Sequence, residues 1–463
     1  MKKALLFSIH FLFMTSSHLM AQQSMGLKIH SGGHYFQDLK GKPFFWMGDT
    51  GWLLWVKCNR EEVLQYLDVR KSQGFNVIQV MGLHELKSAK NCYGDSALFN
   101  RDVSKCRITP GNDPLDSNAY DYWDHVEFVI QEAAKRNMYI GYVPVWGSNV
   151  KDGLVSVAQA AVYANFLVDR LGKYKNIIWL NGGDVKGTDG EAVWNTLATI
   201  LHKKLPAALI TYHPRGRYSS SDFFQDQPWL DFNMIQSGHR NYAQDTSAAD
   251  KHHFGEDSWR YIQMDWNKKP IRPTMDGEPS YENIPQGLHD YSKPLWNDQD
   301  IRRYVYWSVF AGGAGVSYGE NAVMQFHRPG DADANYNVKV SWKEALQSPG
   351  ALQMQHLKKL MLSHSYFDRT PAQEILFENG GSRYDYQIAT KGTSFAMIYA
   401  YTGNDIHIDF SKLSFATKHA SWFNPSTGVK TLIHGNLPYV GKQTFDPPGV
   451  QGNGHDWVLI LEK

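Results

Sequence analysis

The chain has 463 residues, 42% of them apolar, and a formal net charge of +1. That length exceeds one ordinary domain and fits a barrel of about 300 residues followed by a smaller domain. The near-neutral balance gives no reason to expect nucleic acid or an anionic membrane surface as a partner.

In chain order, Lys2 and Lys3, the apolar run 4–13 and Leu19-Met20-Ala21 read as a secretory signal cleaved after Ala21 (residues 1–21). A periplasmic or secreted protein is expected. No later apolar run is long enough to span a bilayer, so no membrane insertion is expected. Residues 27–42 read as a short strand and turn. Strands at 44–49, 76–82, 139–146, 177–180, 209–213, 232–236, 271–275 and 315–318 then alternate with helices at 61–73, 122–137, 155–171, 191–204, 258–266, 298–310 and 345–364. Eight strands alternating with helices predict an α/β fold, a (β/α)8 TIM barrel over residues 27–368. An open doubly wound sheet is the alternative, but no glycine-rich phosphate fingerprint follows strand one. Residues 83–118 read as a long loop, of a length that is usually functional or disordered. Short strands at 394–401, 405–410, 420–423 and 457–461, with turns such as Asn424-Pro425-Ser426-Thr427-Gly428, predict a small C-terminal β-sandwich over 370–463.

Two strand ends carry the chemistry. Strand four runs into Asn181-Gly182-Gly183-Asp184, and strand seven into Met275-Asp276-Gly277-Glu278-Pro279. Ends of barrel strands lie on the catalytic face. Two carboxylates facing one cavity are what glycosidic bond cleavage requires. Asp184 is the candidate general acid/base, which must hold a proton near neutral pH; its alternative is a helix N-cap. Glu278 is the candidate nucleophile, with Asp276 and Glu282 as competitors and a surface-loop carboxylate as the alternative role. Polar groups at other strand ends are candidates for holding sugar hydroxyls: Asp49, His84, Asn181, His213, Gln236, His239, Tyr318 and Glu320. The chain has 15 Trp and 25 Tyr. Trp52, Trp55, Trp146 and Trp307 are candidate stacking platforms, or else core.

The three cysteines, Cys58, Cys92 and Cys106, have no metal-ligand spacing. A Cys92–Cys106 disulfide across one loop would contribute about 3 kcal/mol in the chain-entropy account and leave Cys58 as a buried thiol. The adjacent pair His252-His253 is not a metal motif, and no Gly-x-Ser-x-Gly elbow argues for an esterase. No metal or cofactor is expected.

The strings Phe45-Trp46-Met47-Gly48-Asp49-Thr50-Gly51-Trp52, Trp179-Leu180-Asn181-Gly182-Gly183-Asp184 and Met275-Asp276-Gly277-Glu278-Pro279-Ser280-Tyr281-Glu282 resemble the apiosidase-like glycoside hydrolases, family 140. The C-terminal part, ending in His455-Asp456-Trp457-Val458-Leu459-Ile460-Leu461, resembles a domain labelled collagen-binding. The resemblance implies a barrel with a β-domain behind it. It also implies cleavage of apiose linkages in the side chains of rhamnogalacturonan II, a plant pectin, with Asp184 as acid/base and Glu278 as nucleophile. Its layout implies retention of configuration. An oligo- or polysaccharide is the expected partner. Competing readings are a glycosidase on another plant glycan, a non-catalytic carbohydrate-binding protein, and a matrix adhesin acting through the C-terminal domain.

Overall fold

The structure is a computed structural model and describes residues 25–378, 380–433 and 438–463. The signal segment read at 1–21 lies outside these residues. The barrel strands, one to eight, are Trp46–Thr50, Val77–Met81, Tyr139–Val143, Ile177–Val185, Ile210–Pro214, Asn233–Ile235, Thr274–Asp276 and Gly315–Tyr318. They pair in parallel in the order five-four-three-two-one-eight-seven-six. Between strands five and six, Thr211 Oγ1 donates to the Phe232 carbonyl at 2.5 Å and Asp231 N to the Ile210 carbonyl at 2.9 Å. These bonds nearly close the sheet into a barrel. The strands are buried on both faces, which is why they read as apolar runs rather than alternating ones.

The major helices are Arg60–Ser72, Tyr122–Lys135, Val157–Leu171, Glu191–Lys204, Ser258–Trp266, Asp298–Phe310 and Pro349–Leu362. Asn59, Asp121, Ser156 and Asn297 start four of them through capping boxes, which satisfy orphan backbone N–H groups. The last helix begins at Pro349, behind a separate turn Trp342–Ala345, not as one run from 345. Proline has no N–H to give and suits a first helical position.

At the N-terminal end of the barrel, Leu27–Ile29, Phe36–Asp38 and Pro43–Phe44 form an antiparallel sheet. Phe36 is fully buried and meets Phe232 edge-on, with ring centroids 5.1 Å apart. It plugs that end with apolar surface and leaves the opposite end as the open one.

The C-terminal domain has a six-stranded antiparallel sheet in the order Thr370–Pro371, Ile388–Lys391, Phe395–Ala400, Trp457–Glu462, His419–Phe423, Lys430–Leu432. Ile406–Asp409 pairs with Lys442–Phe445 as a second layer. Alternation along one strand explains the packing: Phe395, Met397 and Tyr399 join the barrel's core, while Ala396, Ile398 and Ala400 join the domain's own. Two of the strands absent from the sequence reading, Lys430–Leu432 and Lys442–Phe445, are largely exposed and polar and so lack an apolar signature.

The Cys92–Cys106 bridge is corrected. All three cysteines are free. Leu98 bridges Cys106 in a small hairpin, while the Cys92 thiol turns the other way and donates to the Cys58 carbonyl at 3.1 Å. Cys58 is fully buried.

Candidate active site

Strand four does not stop at Leu180. It continues through Gly182 and Gly183, both at positive φ, to Asp184 at φ 54°. A bulge between Gly182 and Val185 shifts its register against strand five. Glycine is required here by close approach: a Cβ on Gly183 would lie 2.5 Å from the Trp146 ring, and one on Gly182 2.5 Å from Tyr212. The left-handed backbone at Asp184 costs about 1 kcal/mol or more and aims its carboxyl into a cavity at the C-terminal face of the barrel.

That cavity has a volume of about 430 Å3. Glu278, just past strand seven, faces it and is 7% exposed. His239 Nε2 lies 2.9 Å from Glu278 Oε1, and His213 Nε2 lies 3.1 Å from Oε2 in a contact skewed from ideal hydrogen-bond alignment. A neutral imidazole with its proton on Nε2 can serve in each contact. Burial pushes Glu278 up, but the two imidazoles outweigh it and hold the carboxyl at about 2. Asp184 has no such partner. Its carboxyl is open to the cavity, yet protein walls surround the cavity, so its dehydration comes from those walls. That dehydration, then the negative charge of Glu278, pushes Asp184 up to about 6.

Of the residues singled out from sequence, the fold brings Asp184, Glu278, Trp52, His84, Trp146, Gln236 and His239 to this one cavity. Trp52 and Trp146 meet with ring centroids 5.3 Å apart and form an aromatic corner. Trp52 Nε1 donates to Tyr281 OH at 3.2 Å, which fixes that ring. His213 is fully buried and stands behind Glu278 rather than on the cavity wall.

Four sugar-binding candidates, Asp49, Asn181, Trp307 and Tyr318, are not among the residues that line the cavity. Asp49 is wholly buried against Tyr66 OH at 2.5 Å and Arg70 Nε at 2.7 Å, facing the helix Arg60–Ser72. Asn181 Nδ2 donates to the Trp194 carbonyl at 2.8 Å, on the helix side of strand four. Trp307 is buried under the C-terminal domain, its Nε1 donating to the Tyr386 carbonyl at 3.2 Å. Tyr318 is buried with its OH on Glu282 at 2.5 Å. In each case a fold-internal partner takes the polar group.

The remaining candidates have structural partners too. Asp276 accepts from Ser237 Oγ at 2.6 Å and Ser308 Oγ at 2.9 Å, and burial pushes it up to about 6. Glu282 accepts from the Gly350 N–H at 3.0 Å, at the start of the last helix. Glu320 caps the turn Asn321–Met324 and is pushed up to about 7 by burial. Trp55 is core.

Sequence reasoning missed Arg215, Arg240, Tyr281, His289 and Tyr336, which line the same cavity. Arg215 and Arg240 flank the buried Asp250 at 3.3 and 2.6 Å. Their nearness to His213 and His239 in sequence was the available signal. Among the described residues no group of three or more His, Cys, Asp or Glu side chains is arranged to hold a metal ion, and no helix is long and apolar enough to cross a membrane.

One carboxyl that holds its proton to about pH 6 and one that stays ionised, both facing one aromatic-lined cavity, can protonate a leaving oxygen and stabilise or attack the carbon it leaves. The sequence profile described as "Apiosidase-like, catalytic domain" matches residues 30–368, and that described as "Putative collagen-binding domain of a collagenase" matches residues 370–462. A solved structure named "Glycoside hydrolase" is 41% identical, covers 96% of this chain and 98% of its own, and superposes with a TM-score of 0.89. A second, named as a glycoside hydrolase family 5 from Bacteroides vulgatus ATCC 8482, is 39% identical, with 96% and 94% covered and a TM-score of 0.89. Among curated proteins no sequence matches. Family profile, fold and a pair of facing carboxylates agree: the chain belongs to the apiosidase-like glycoside hydrolases.

Proposed function

We propose that the chain hydrolyses apiose-containing glycosidic linkages in pectin, in the side chains of rhamnogalacturonan II, with Asp184 as general acid/base and Glu278 as nucleophile. The observation that carries the reading is the opposite protonation of these two carboxyls in one cavity. Two titratable groups whose surroundings push them apart mark the acid and the base of a site. Asp184 donates its proton to the glycosidic oxygen as the bond to the anomeric carbon breaks. Glu278 attacks that carbon from the other side, and its negative charge passes into a glycosyl ester. Asp184, now ionised, takes a proton from water; that water displaces Glu278 and gives a product of retained configuration. The His213 and His239 contacts keep Glu278 ionised and fix its orientation.

The substrate assignment is supported by the family and by the cavity wall. Arg215 and Arg240 share one buried carboxylate, Asp250, so this part of the wall keeps net positive charge. Pectin is acidic, and such a wall favours it. The Trp52–Trp146 corner offers ring faces to the apolar side of a sugar. Export through the segment 1–21 fits an enzyme whose substrate is an extracellular polymer, and N-terminal sequencing of the exported protein should begin at Gln22. We assign the C-terminal domain a supporting role, because one face of its sheet is already occupied by the barrel.

Product analysis on rhamnogalacturonan II oligosaccharides tests the assignment. Wild type should release an apiose-terminated fragment and the Glu278→Gln variant should not. Absence of release by both rejects the apiose linkage; equal release by both rejects Glu278 as nucleophile.

A further inference from the structure

Beside the cavity lies a second concavity that the proposed reaction does not use. It is a groove of about 240 Å3 on the loop after strand two, and it holds Lys87, Lys90 and Arg101 among its walls. None of these three side chains makes an ion pair or a hydrogen bond among the described residues, although the chain as a whole is almost neutral. The acidic residues nearest the groove in sequence, Asp95 and Asp102, are hydrogen-bonded instead, and the exposed Asp113 and Asp116 of the same loop do not line it. Asp95 accepts from Asn91 Nδ2 at 2.8 Å, and Asp102 accepts from Ser104 Oγ at 2.7 Å and Gln159 Nε2 at 2.8 Å. Glu85 is exposed but does not line the groove.

The backbone adds an independent observation. Asn100 and Arg101 have φ of 53° and 62°, and Asp102 N donates to the Phe99 carbonyl at 3.1 Å. Two consecutive positive φ values with that bond form a hairpin turn whose second central position favours glycine. An arginine there costs stability, and the strain is accepted at a position that presents a cation to the groove.

The groove also adjoins the cavity. His84 lines the cavity and Leu86 lines the groove, and Asn149 holds both: its Nδ2 donates to the His84 carbonyl at 2.7 Å and its Oδ1 accepts from Leu86 N at 3.2 Å. Strand two stands across the barrel from strand six, the strand that leads to Arg240. Cationic surface therefore lies on both sides of Asp184 and Glu278.

From this placement we infer that Lys87, Lys90 and Arg101 form a distal binding site for an acidic polysaccharide, its anion a carboxylate or a sulfate ester, that crosses the catalytic cavity. The inference rests on reading the cavity as a glycan site, and it concerns binding rather than cleavage.

The test uses the full chain carrying Glu278→Gln, so that nothing is consumed, and measures binding by calorimetry at low and high salt. The ligands are oligogalacturonates, chondroitin sulfate oligosaccharides, unsulfated chondroitin oligosaccharides and neutral xylo-oligosaccharides. The groove variant is Lys87→Ser/Lys90→Ser/Arg101→Gly, in which glycine relieves the turn so that folding is preserved. At least one acidic series should bind, weaken with salt, and lose about tenfold or more in affinity in the groove variant. Binding of oligogalacturonate alone names a carboxylate ligand; chondroitin sulfate carries carboxylates too, so binding of it but not of unsulfated chondroitin oligosaccharides names a sulfate ester. Unchanged affinity in the groove variant, or loss only on Arg215→Ser/Arg240→Ser, overturns the inference and assigns binding to the cavity. So does neutral binding as tight as acidic, or no binding by any series. Because cleavage is not read, acidic binding through the groove stands even if no apiose linkage is ever cut.

Discussion

In the seam between the barrel and the C-terminal domain, Arg302 meets Asp456 at 2.8 Å and Arg303 meets Glu256, all four nearly out of water, and Arg302 also meets the partly exposed Asp298 at 2.7 Å. In the catalytic cavity, Asp184 meets no cation within 4 Å among the described residues, and Glu278 meets only imidazoles. The seam neutralises buried charge pair by pair and so fixes two domains against each other. The cavity leaves one carboxyl without a cation, and its walls, then the charge of Glu278, push it up to about 6.

Removing the uncompensated group should have the largest effect. Asp184→Asn is expected to lower kcat on a natural glycan by about 10²–10⁴-fold, since that is the usual reach of general acid catalysis. It should lose far less on a substrate whose leaving group needs no proton, such as a nitrophenyl glycoside. Equal losses on both substrates would show that Asp184 does not supply the proton.

Breaking a compensated pair should act on stability instead. Asp456→Ala leaves Arg302 with Asp298, Gln353 and the Gly454 carbonyl, and takes a partner from Tyr399 OH. A loss of about 3 kcal/mol is expected, the lower end for breaking a buried pair, with kcat unchanged. It would be seen as a lower urea midpoint. A fall in kcat with no shift in midpoint would mean that the seam reaches the cavity.

Gly183→Ala lies between the two regions in character. Its Cβ would sit 2.5 Å from the Trp146 ring at φ 117°, at a cost of about 1–3 kcal/mol. Both the unfolding midpoint and kcat/KM should fall, and tryptophan fluorescence should change as Trp146 moves. An unaltered spectrum with full activity would contradict the packing argument.

The smallest effect sharpens the comparison by pH. With the proposed roles, Glu278 acts ionised and Asp184 protonated, so kcat/KM should fall as pH drops through about 2 and as pH rises through about 6. His239 lowers both carboxyls. His239→Ala should therefore move both limbs to higher pH, by about one unit for each 1.4 kcal/mol of interaction lost. Limbs that stay in place would remove His239 from the electrostatics of the site.

Much of this was legible in the chain. Eight buried parallel strands give apolar runs, and capping residues such as Asp121 and Asn297 mark where helices begin. Gly182-Gly183-Asp184 and Gly277-Glu278 stood out because glycine beside a carboxylate at a strand end means close approach. Which way a polar side chain faces was not legible. Asp49 and Asn181 lie within their strands, Trp52 and Gln236 just beyond theirs, and the first two turn to the helices, where Arg70 and the Trp194 carbonyl take them. Arg215, Arg240 and Tyr336 escaped notice because they lie on loops, whose paths are set by distant contacts.

Local patterns of polarity and backbone freedom are written residue by residue, so the sequence by itself determined the barrel, the β-domain behind it and the two carboxyl-bearing strand ends. Only the tertiary structure decided which carboxyl stands alone and which is held by two histidines, because dehydration and charge pairing depend on groups that meet across tens to hundreds of residues. Asp184 and Glu278 are both acidic residues following glycine in the chain; the walls around the one push its carboxyl up, and the imidazoles against the other hold its carboxyl down.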